Sequence, residues 1–405
     1  MNKPLQVRRL KPFALFAAFV IQFGYSTINP IMPTLVGRYG GNALEIGLLY
    51  SALWLAQFLT VPGLGTLSDR IGRRPILLLC LFGGSLGFLI LSLGSALWAM
   101  FAGLVIFGLF DGVPGAVFAS VADITQSSAR THNFATVNAA IALGFILGPL
   151  LGARLVQVSP EVPLYMVDTM LLVTLVWGCV TLPETLPKPQ NLSPLQLSSL
   201  NPFAQLSTLF QSTQLRWLLP SFLILAMMPF ALVPNLPILT RDLFGWTPDR
   251  VAPLFAIFGI VNILDQMVLL PLLLPRLGEV RLAIIGAFLA AIAFLVFALV
   301  SITNMASLLY VAVFLFALGQ LLAVTSLTGL MSRLTELEIQ GSMQGGLQAL
   351  QALGGISAPL WVSWLYSRVS ASTPYWFGMV LLLLSGLCMM LAIPNLRDSS
   401  GKTLV

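Results

Sequence analysis

The chain has 405 residues, of which 58% are apolar and only 8% are charged, and its mean hydropathy is +0.94. A water-soluble fold is excluded, because so few polar residues cannot cover a globular surface. The net charge of +6 does not indicate binding to nucleic acid, because the basic residues are spread over short loops instead of being gathered on one face.

Apolar segments long enough to cross a bilayer follow one another along the whole chain, and each predicts a membrane helix of about 20 residues. The predicted spans are 13–36, 45–66, 75–95, 97–122, 133–156 and 162–182, then 216–240, 250–274, 281–300, 305–330, 344–367 and 374–394. These runs are too long and too uniformly apolar to be strands of a barrel. We therefore predict an all-α membrane protein with twelve transmembrane helices.

The basic residues predict the orientation of these helices. Of the 20 Lys and Arg residues, only five fall on one side, namely Arg38, Arg154, Arg241, Arg250 and Arg368. Short loops rich in Lys and Arg face the cytoplasm, so both termini are expected there. Cys80, Cys179 and Cys388 lie far apart inside predicted spans, and His132 is the only histidine. Neither a disulfide framework nor a metal site is expected.

The chain is expected to divide near its middle into two related halves. Residues 183–214 are a polar stretch rich in Pro, Ser, Gln and Asn, and they would link a six-helix bundle at 1–182 to a second bundle at 215–405. Gly144-Phe-Ile-Leu-Gly148-Pro149-Leu is echoed by Gly354-Gly-Ile-Ser-Ala358-Pro359-Leu at an offset of 210, and Gly72 is echoed by Gly278 at an offset of 206. Two pseudo-symmetric bundles are the architecture with which many secondary transporters alternate access.

The densest group of charges lies between the second and third spans, in Gly65-Thr-Leu-Ser-Asp69-Arg70-Ile-Gly72-Arg73-Arg74-Pro75. Asp69 is placed to pair with the arginines. The glycines Gly65 and Gly72 allow two helices to approach and the backbone to reverse tightly. A plain topology anchor is the alternative, although anchoring requires neither the carboxylate nor the glycines.

This turn resembles the signature loop of the major facilitator superfamily, and further motifs narrow the resemblance to its drug:proton antiporter branch, near the tetracycline exporters. These motifs are Gln57-Phe58 and Pro62, Ala122-Asp123-Ile-Thr, Pro183-Glu184-Thr185 and Gln340-Gly341-Ser-Met-Gln344-Gly345. The resemblance covers nearly the whole chain. It implies the major facilitator fold and a secondary transporter, not an enzyme, that acts as a monomer in a bacterial inner membrane. It also implies that the proton gradient supplies the energy and that no cofactor is needed.

The family similarity also assigns roles to two groups of residues. A gating latch that keeps the inner side of the outward-facing state closed would comprise Gly65, Asp69, Arg70, Gly72, Arg73, Arg74 and Asp123. In it Asp69 faces the eleventh helix and Asp123 joins Arg73. The stripe of Gly144, Gly148, Pro149 and Gly152 is the pattern that the family associates with antiporters. Small residues allow close helix packing, although Gly and Pro are also simply common in membrane helices.

Ionisable residues inside the spans are the candidates for proton coupling or for substrate binding, because burying them is unfavourable unless they act. Asp111 lies at the centre of the fourth predicted span and Asp265 near the centre of the eighth, so that each half holds one. A carboxyl held by neighbouring hydroxyls or amides is the alternative. In the tetracycline exporters an acid lies in the first span, whereas Ile21 and Gln22 occupy that region here.

Polar and aromatic side chains in the spans are candidates for lining a cavity: Gln22, Tyr25, Asn29, Asn138, Asn235, Asn262, Gln320, Gln348 and Gln351. Such a cavity suits large apolar drugs, and a helix–helix hydrogen bond is the alternative role of each residue. Since no Lys or Arg lies at mid-span, anionic substrates are disfavoured. We expect proton-linked efflux of lipophilic neutral or cationic compounds, without ATP. A transporter of sugars or other small metabolites with weak or no proton coupling is the alternative, and a membrane receptor that no longer transports is less well supported.

Overall fold

A computed structural model of the protein describes residues 3–186, 215, 217–335 and 340–393. Most of the polar stretch predicted as a linker, from 187 to 214, lies outside the described residues. In the described part of the chain the regular elements are helices, without strands. The prediction of an all-α membrane protein is therefore confirmed.

The first half of the chain forms seven helices, which are α1 (Lys3–Gly37), α2 (Ala43–Ile71), α3 (Arg73–Leu93), α4 (Leu97–Leu109), α5 (Val113–Ile124), α6 (Ser127–Leu155) and α7 (Val162–Thr181). The second half continues with α8 (Leu218–Phe244) and α9 (Pro248–Leu264), then a π-helical segment (Asp265–Leu269). It ends with α10 (Leu270–Thr303), α11 (Ser307–Arg333), α12 (Gln340–Arg368) and α13 (Thr373–Ala392).

These helices account for twelve membrane spans. Ten helical segments in the described residues are long and apolar enough to cross a bilayer. One of them, Pro248–Thr303, has 56 residues, and Gly278 with φ 76° divides it into two spans. The remaining span is α12, which has 29 residues.

The fourth span is not the single helix that its apolar run predicts. It breaks after Leu109, and α5 begins at Val113. Pro114 explains the break, because its ring would clash with the carbonyl of Phe110, four residues earlier, and it has no N–H to donate. Asp111 therefore lies in the break and not within a continuous helix, as its place at the centre of a single predicted span had indicated.

The contacts divide the chain into two compact units. Unit 1 comprises Met1–Gly41, Ala52–Asn201 and Pro248–Ala256, and unit 2 comprises Asn42–Ser51, Pro202–Thr247 and Ile257–Val405. Short segments at the beginnings of α2 and α9 thus group with the other half of the chain, which the sequence pattern does not predict.

The first sequence echo corresponds to the same packing in each unit. In unit 1 a Cβ added to Gly144 of α6 would lie 2.5 Å from Phe19 O of α1. In unit 2 a Cβ added to Gly354 of α12 would lie 2.9 Å from Met227 Cβ of α8. The fifth span therefore packs closely on the first span within each unit, as expected for related halves.

Outside the spans of unit 1, an ion pair joins the loop after α1 to the residue before α7. Arg38 Nη1 pairs with Glu161 Oε1, and Ser159 Oγ donates to Glu161 Oε2. The hydrogen bond from Ser159 and the interaction with Arg38 lower the pKa of the Glu161 carboxyl below its ordinary value of 4.5. The charged form of Glu161 thus contributes to stability.

We expect Glu161→Gln to lower the free energy of unfolding at pH 7 by about 0.2–1 kcal/mol, since both partners are substantially exposed to water. Because the folded pKa of Glu161 is depressed, this contribution is present above pH 4.5 and is lost as the pH falls through the folded value. Thermal unfolding in detergent at pH 7 and about pH 3 measures it. Arg38→Gln should match Glu161→Gln at pH 7. An equal effect of Glu161→Gln at both pH values would contradict the assignment.

Candidate functional site

The charged turn between α2 and α3 is built on Gly72. Gly72 has φ 115° and ψ 155°, a region that is open essentially only to glycine. The first N–H groups of α3 find their acceptor on another part of unit 1, where the two carboxylate oxygens of Glu184 accept from Arg73 N at 2.9 Å and from Arg74 N at 3.2 Å. A carboxylate at this end of a helix is favoured by the helix dipole.

Glu184 also fixes the segment that follows α7. Its Oε1 accepts from the backbone N–H groups of Thr185 and Leu186, each at 2.9 Å, and Arg74 Nη2 donates to Cys179 O at 2.8 Å. The end of α7 is thereby bound to the beginning of α3. Sequence reasoning noted Glu184 only as part of a family motif and missed this role, for which an acid directly after an apolar span was the available signal.

Arg73 is the centre of the charged network in unit 1. Its Nε lies 3.2 Å from Asp123 Oδ2 at the end of α5, and its Nη1 pairs with Asp69 Oδ1 near the end of α2. Arg73 Nη1 also donates to Ser68 Oγ at 3.2 Å, and Thr185 Oγ1 donates to Asp123 Oδ2 at 3.2 Å. The network connects the ends of α2, α5 and α7 with the beginning of α3.

Asp69 pairs with an arginine of the predicted latch as expected, whereas Gly65 has open surroundings. The side chain of Asp69 is 63% exposed, so its pair with Arg73 is accessible to water. Apart from the adjacent residues of its own helix, no atom of the described residues lies within 4 Å of a Cβ placed on Gly65. The described residues thus make no close approach at Gly65, and of the two glycines Gly72 is the one whose backbone conformation requires glycine.

Asp111 lies in the break of the fourth span, directly before the Gly112 cap of α5. Gln57 Nε2 of α2 donates to Asp111 Oδ2 at 2.8 Å. Tyr25 of α1 interacts electrostatically with the Asp111 carboxyl and forms a hydrogen bond with the side chain of Trp54. Polar side chains of α1 and α2 thus lie around the half-buried Asp111 carboxyl. The partial positive charge at the N-terminus of α5 lies beside it.

Asp265 lies at the π-helical segment of the eighth span. It is fully buried, and neither carboxylate oxygen has a hydrogen-bond partner among the described residues. Leu270 N donates to Asp265 O across the π turn, while Asn262 Nδ2 donates to Phe258 O of its own helix at 2.8 Å. Single π turns in α-helices frequently mark functional sites, and an unpartnered buried carboxyl is unfavourable unless it binds something.

A third acid in the spans shows the contrasting arrangement. Asp168 of α7 is buried, and its Oδ1 accepts a hydrogen bond from Ser85 Oγ of α3. A carboxyl held by a neighbouring hydroxyl in this way has a structural role between two helices. Among the described residues no group of three or more His, Cys, Asp or Glu side chains is arranged to hold a metal ion.

The predicted lining residues divide by their surroundings. In unit 2, Asn235 Nδ2 donates to Tyr375 OH at 2.9 Å and Gln320 Nε2 donates to Leu225 O at 2.7 Å, so these two residues join helices. Asn29 is buried, Gln22, Tyr25 and Asn262 are half-buried, and Asn138, Gln348 and Gln351 are exposed. The exposed and half-buried residues are thus the ones left to line a cavity.

The glycine stripe of α6 brings its backbone against α1. A Cβ on Gly144 would lie 2.5 Å from Phe19 O. At this separation Ser26 Oγ donates to Gly144 O at 3.0 Å and Thr27 Oγ1 to Gly148 O at 3.3 Å. The remaining members of the stripe are Pro149 and Gly152. The small residues therefore allow interhelical hydrogen bonds as well as close packing.

Comparison with known families decides what kind of protein carries this geometry. The family model described as Major Facilitator Superfamily matches residues 14–359, which reach from α1 into α12. The chain belongs to the Major Facilitator Superfamily. The resemblance that the sequence motifs indicated is confirmed, and so is the twelve-helix fold of this superfamily. Its members are transporters that cross the membrane many times.

Relatives within the Major Facilitator Superfamily cover nearly the same length. The chain is 29% identical over 378 residues to tetracycline resistance protein class C of Escherichia coli, covering 92% of this chain and 93% of the relative. It is 30% identical over 410 residues to the class D protein of Salmonella ordonez, covering 97% and 98%. With multidrug resistance protein 2 of Bacillus subtilis it shares 28% identity over 346 residues, 84% of each chain.

Solved structures show the same fold at lower identity. The human organic anion transporter MFSD10 (TETRAN) is similar with a TM-score of 0.71 and 23% identity, covering 94% of this chain and 99% of the other. The nucleoside transporter NupG is similar with a TM-score of 0.79 and 14% identity, covering 95% and 99%. The sequence identities to the tetracycline resistance proteins confirm the resemblance that the charged turn and the helix motifs indicated.

Proposed function

We propose that this protein exports lipophilic neutral or cationic compounds, tetracycline-like drugs among them, in exchange for protons. The observation that carries the proposal is the setting of Asp111 and Asp265. Each unit holds one acid where the regular helix of a span is interrupted, and neither acid forms an ion pair with a residue that the structure describes.

A charged carboxylate inside a membrane protein is unfavourable by several kcal/mol unless a partner compensates it. A proton removes the charge, and a cationic substrate balances it. Competition between the two for one carboxyl couples their movements. Asp265 has no partner in the described part of the chain and so retains the capacity to bind. Asp111 accepts one hydrogen bond, from the Gln57 amide, as Asp168 does from Ser85. Asp111 differs from Asp168 in its position, because it is half-buried in a break of its span whereas Asp168 is buried in a regular helix.

The relatives support the same class of substrate, because their names assign tetracycline resistance and multidrug resistance to them. The expected surroundings are a bacterial inner membrane with both termini in the cytoplasm, and the expected active form is a monomer. The network around Arg73 then lies on the cytoplasmic side, where it serves as the latch that closes the inner ends of the helices. The substrate is a small molecule, and neither ATP nor a bound cofactor takes part.

Proton release on drug binding tests the proposal. Purified protein in weakly buffered detergent solution is mixed with tetracycline and with a lipophilic cation, and a pH-sensitive dye reports released protons. We expect about one proton per bound drug from the parent. One of the two variants Asp111→Asn and Asp265→Asn, the one that removes the proton-carrying carboxyl, should reduce the release at least tenfold, because the amide cannot ionise.

Asp168→Asn is the matched control, since Asp168 is also a buried membrane acid but has a hydroxyl partner. It should release protons like the parent. If drugs bind to the parent and no proton appears, proton coupling is contradicted, and uncoupled transport of small metabolites becomes the better description. If all three variants behave alike, the assignment to Asp111 and Asp265 is contradicted.

A further inference from the structure

The turn between the eighth and ninth spans repeats the backbone of the α2–α3 turn. Gly278 has φ 76° and ψ 166°, and Gly72 has φ 115° and ψ 155°. Both conformations belong to the region that side chains with a Cβ avoid. In each unit one span ends just before this glycine and the next begins just after it, so the two glycines are structural counterparts.

The residue directly after each glycine begins a span, and it forms an ion pair with a residue at the end of the following span. Arg73 Nε lies 3.2 Å from Asp123 Oδ2, and Glu279 Oε1 lies 3.1 Å from Arg333 Nε. Glu279 lies 206 residues after Arg73, and Arg333 lies 210 residues after Asp123. The same two offsets relate the sequence repeats, 206 for the glycines of the turns and 210 for the Gly-Pro segments of the fifth and eleventh spans. The two ion pairs occupy equivalent positions with their charges exchanged.

The burial of the residue on the turn agrees with this equivalence, whereas the partners differ, since the side chain of Arg333 is 64% exposed and that of Asp123 is 19% exposed. The side chain on the turn is nearly buried in both units, with 12% of Arg73 and 10% of Glu279 exposed. Glu279 lies over Gly329 of α11, where an added Cβ would come within 3.1 Å of Glu279 Oε1. Removing Arg333 would leave a poorly solvated carboxylate without its partner, which is the situation in which loss of a charge partner has a large effect.

The ion pairs lie at the ends of helix pairs that are already in close contact. In unit 1 a Cβ on Gly87 of α3 would lie 2.8 Å from Gly103 O of α4, and in unit 2 a Cβ on Gly286 of α10 would lie 2.6 Å from Gly319 O of α11. Backbone contact holds the middle of each helix pair together. The ion pair adds a connection at the end that holds the turn.

We propose that Glu279 and Arg333 are positioning residues for transport, the counterpart in unit 2 of Arg73 and Asp123. They fasten the turn at Gly278 to the end of α11, so that the ninth and tenth spans move as one body during the transport cycle. This inference rests on the proposed function for its rate measurement, and it has a second measurement that requires no substrate.

Charge exchange tests the inference. The double variant Glu279→Arg/Arg333→Glu gives unit 2 the arrangement that unit 1 has naturally, with the base on the turn and the acid at the span end. We expect Glu279→Gln and Arg333→Gln to reduce the maximal efflux rate in proteoliposomes about fivefold or more with the KM changed less than twofold. The exchange variant should recover at least half of the parent rate. Arg276→Gln is the matched control on the same turn, since Arg276 forms no ion pair with a described residue, and it should leave the rate unchanged.

The second measurement is the reactivity of a cysteine on the turn. In protein with its three cysteines replaced by alanine, Leu277→Cys should react with a maleimide several times faster once Glu279 or Arg333 is neutralised. Charge exchange should return the reaction to within twofold of the parent. If the parent transports no drug but the labelling follows this pattern, the proposed function fails and the ion pair stands. If the exchange variant labels as fast as the neutralised variants, or recovers no rate in an active parent, the inference is overturned.

Discussion

Replacing Gly148 with leucine is expected to abolish both the folded yield and transport. A Cβ at this position would lie 2.6 Å from Phe23 O and 3.0 Å from Thr27 N, both backbone atoms of α1. Neither can move aside without displacing the helix. Overpacking typically lowers stability by about 1–3 kcal/mol, and a contact with two backbone atoms should exceed that range. We therefore expect less than about a tenth of the parent yield of monodisperse protein in size-exclusion chromatography.

The control for this substitution is Gly115→Leu. Gly115 also lies in a membrane helix, but apart from the adjacent residues of that helix no atom of the described residues lies within 4 Å of a Cβ placed there. We expect this variant to fold with a melting temperature close to that of the parent. If Gly148→Leu gave the same yield and melting temperature as Gly115→Leu, the close contact of α6 with α1 would be wrong.

Gly72→Ala is expected to reduce transport at least tenfold while leaving a folded protein. The backbone conformation of Gly72 is unfavourable for alanine by about 1–3 kcal/mol. In addition, the new Cβ would lie 2.8 Å from Glu184 Cδ, so the carboxylate would leave the N–H groups of Arg73 and Arg74. The α3 cap and the connection to the end of α7 would be lost together.

Alanine substitutions at two further glycines distinguish the two causes of this effect, backbone strain and the displacement of Glu184. Gly278→Ala imposes a similar backbone strain, but its Cβ meets no atom of the described residues within 4 Å, and Gly65→Ala imposes neither the strain nor such a contact. Efflux rates in proteoliposomes and melting temperatures should therefore fall in the order Gly65→Ala, Gly278→Ala, Gly72→Ala. A transport rate of Gly72→Ala equal to that of Gly278→Ala would mean that the position of Glu184 is unimportant.

Hydropathy predicts the helices of this fold because each span must bury its whole length in lipid, but it does not predict where they are interrupted. The break before Gly112 had a signal in Pro114, which the apolar run concealed. The π turn at Asp265 was not predicted, because the apolar run continues on both sides of it.

The charged network could be predicted where the partners are close in sequence, as for Asp69 and Arg73, or where a family motif supplied the pairing. Arg73 and Asp123 were expected together on the second ground. Glu184 is more than a hundred residues from the N–H groups that it caps, and an acid after an apolar span does not by itself identify the N–H groups that it will bind. For Glu279 and Arg333 the repeat of Gly278 was visible, but the exchange of charges removes the similarity of the side chains themselves.

Helix length has a consequence for the surrounding lipid. The sixth span of each half, α7 and α13, has 20 residues, which at about 1.5 Å per residue equals the thickness of an average hydrocarbon core of about 30 Å. The apolar spans in α1 and α6 have 28 and 24 residues and can accommodate a thicker bilayer by tilting. In a thick membrane the acyl chains must therefore compress beside α7 and α13 and not beside the longer helices. The protein is thus expected to be surrounded by a bilayer of uneven depth.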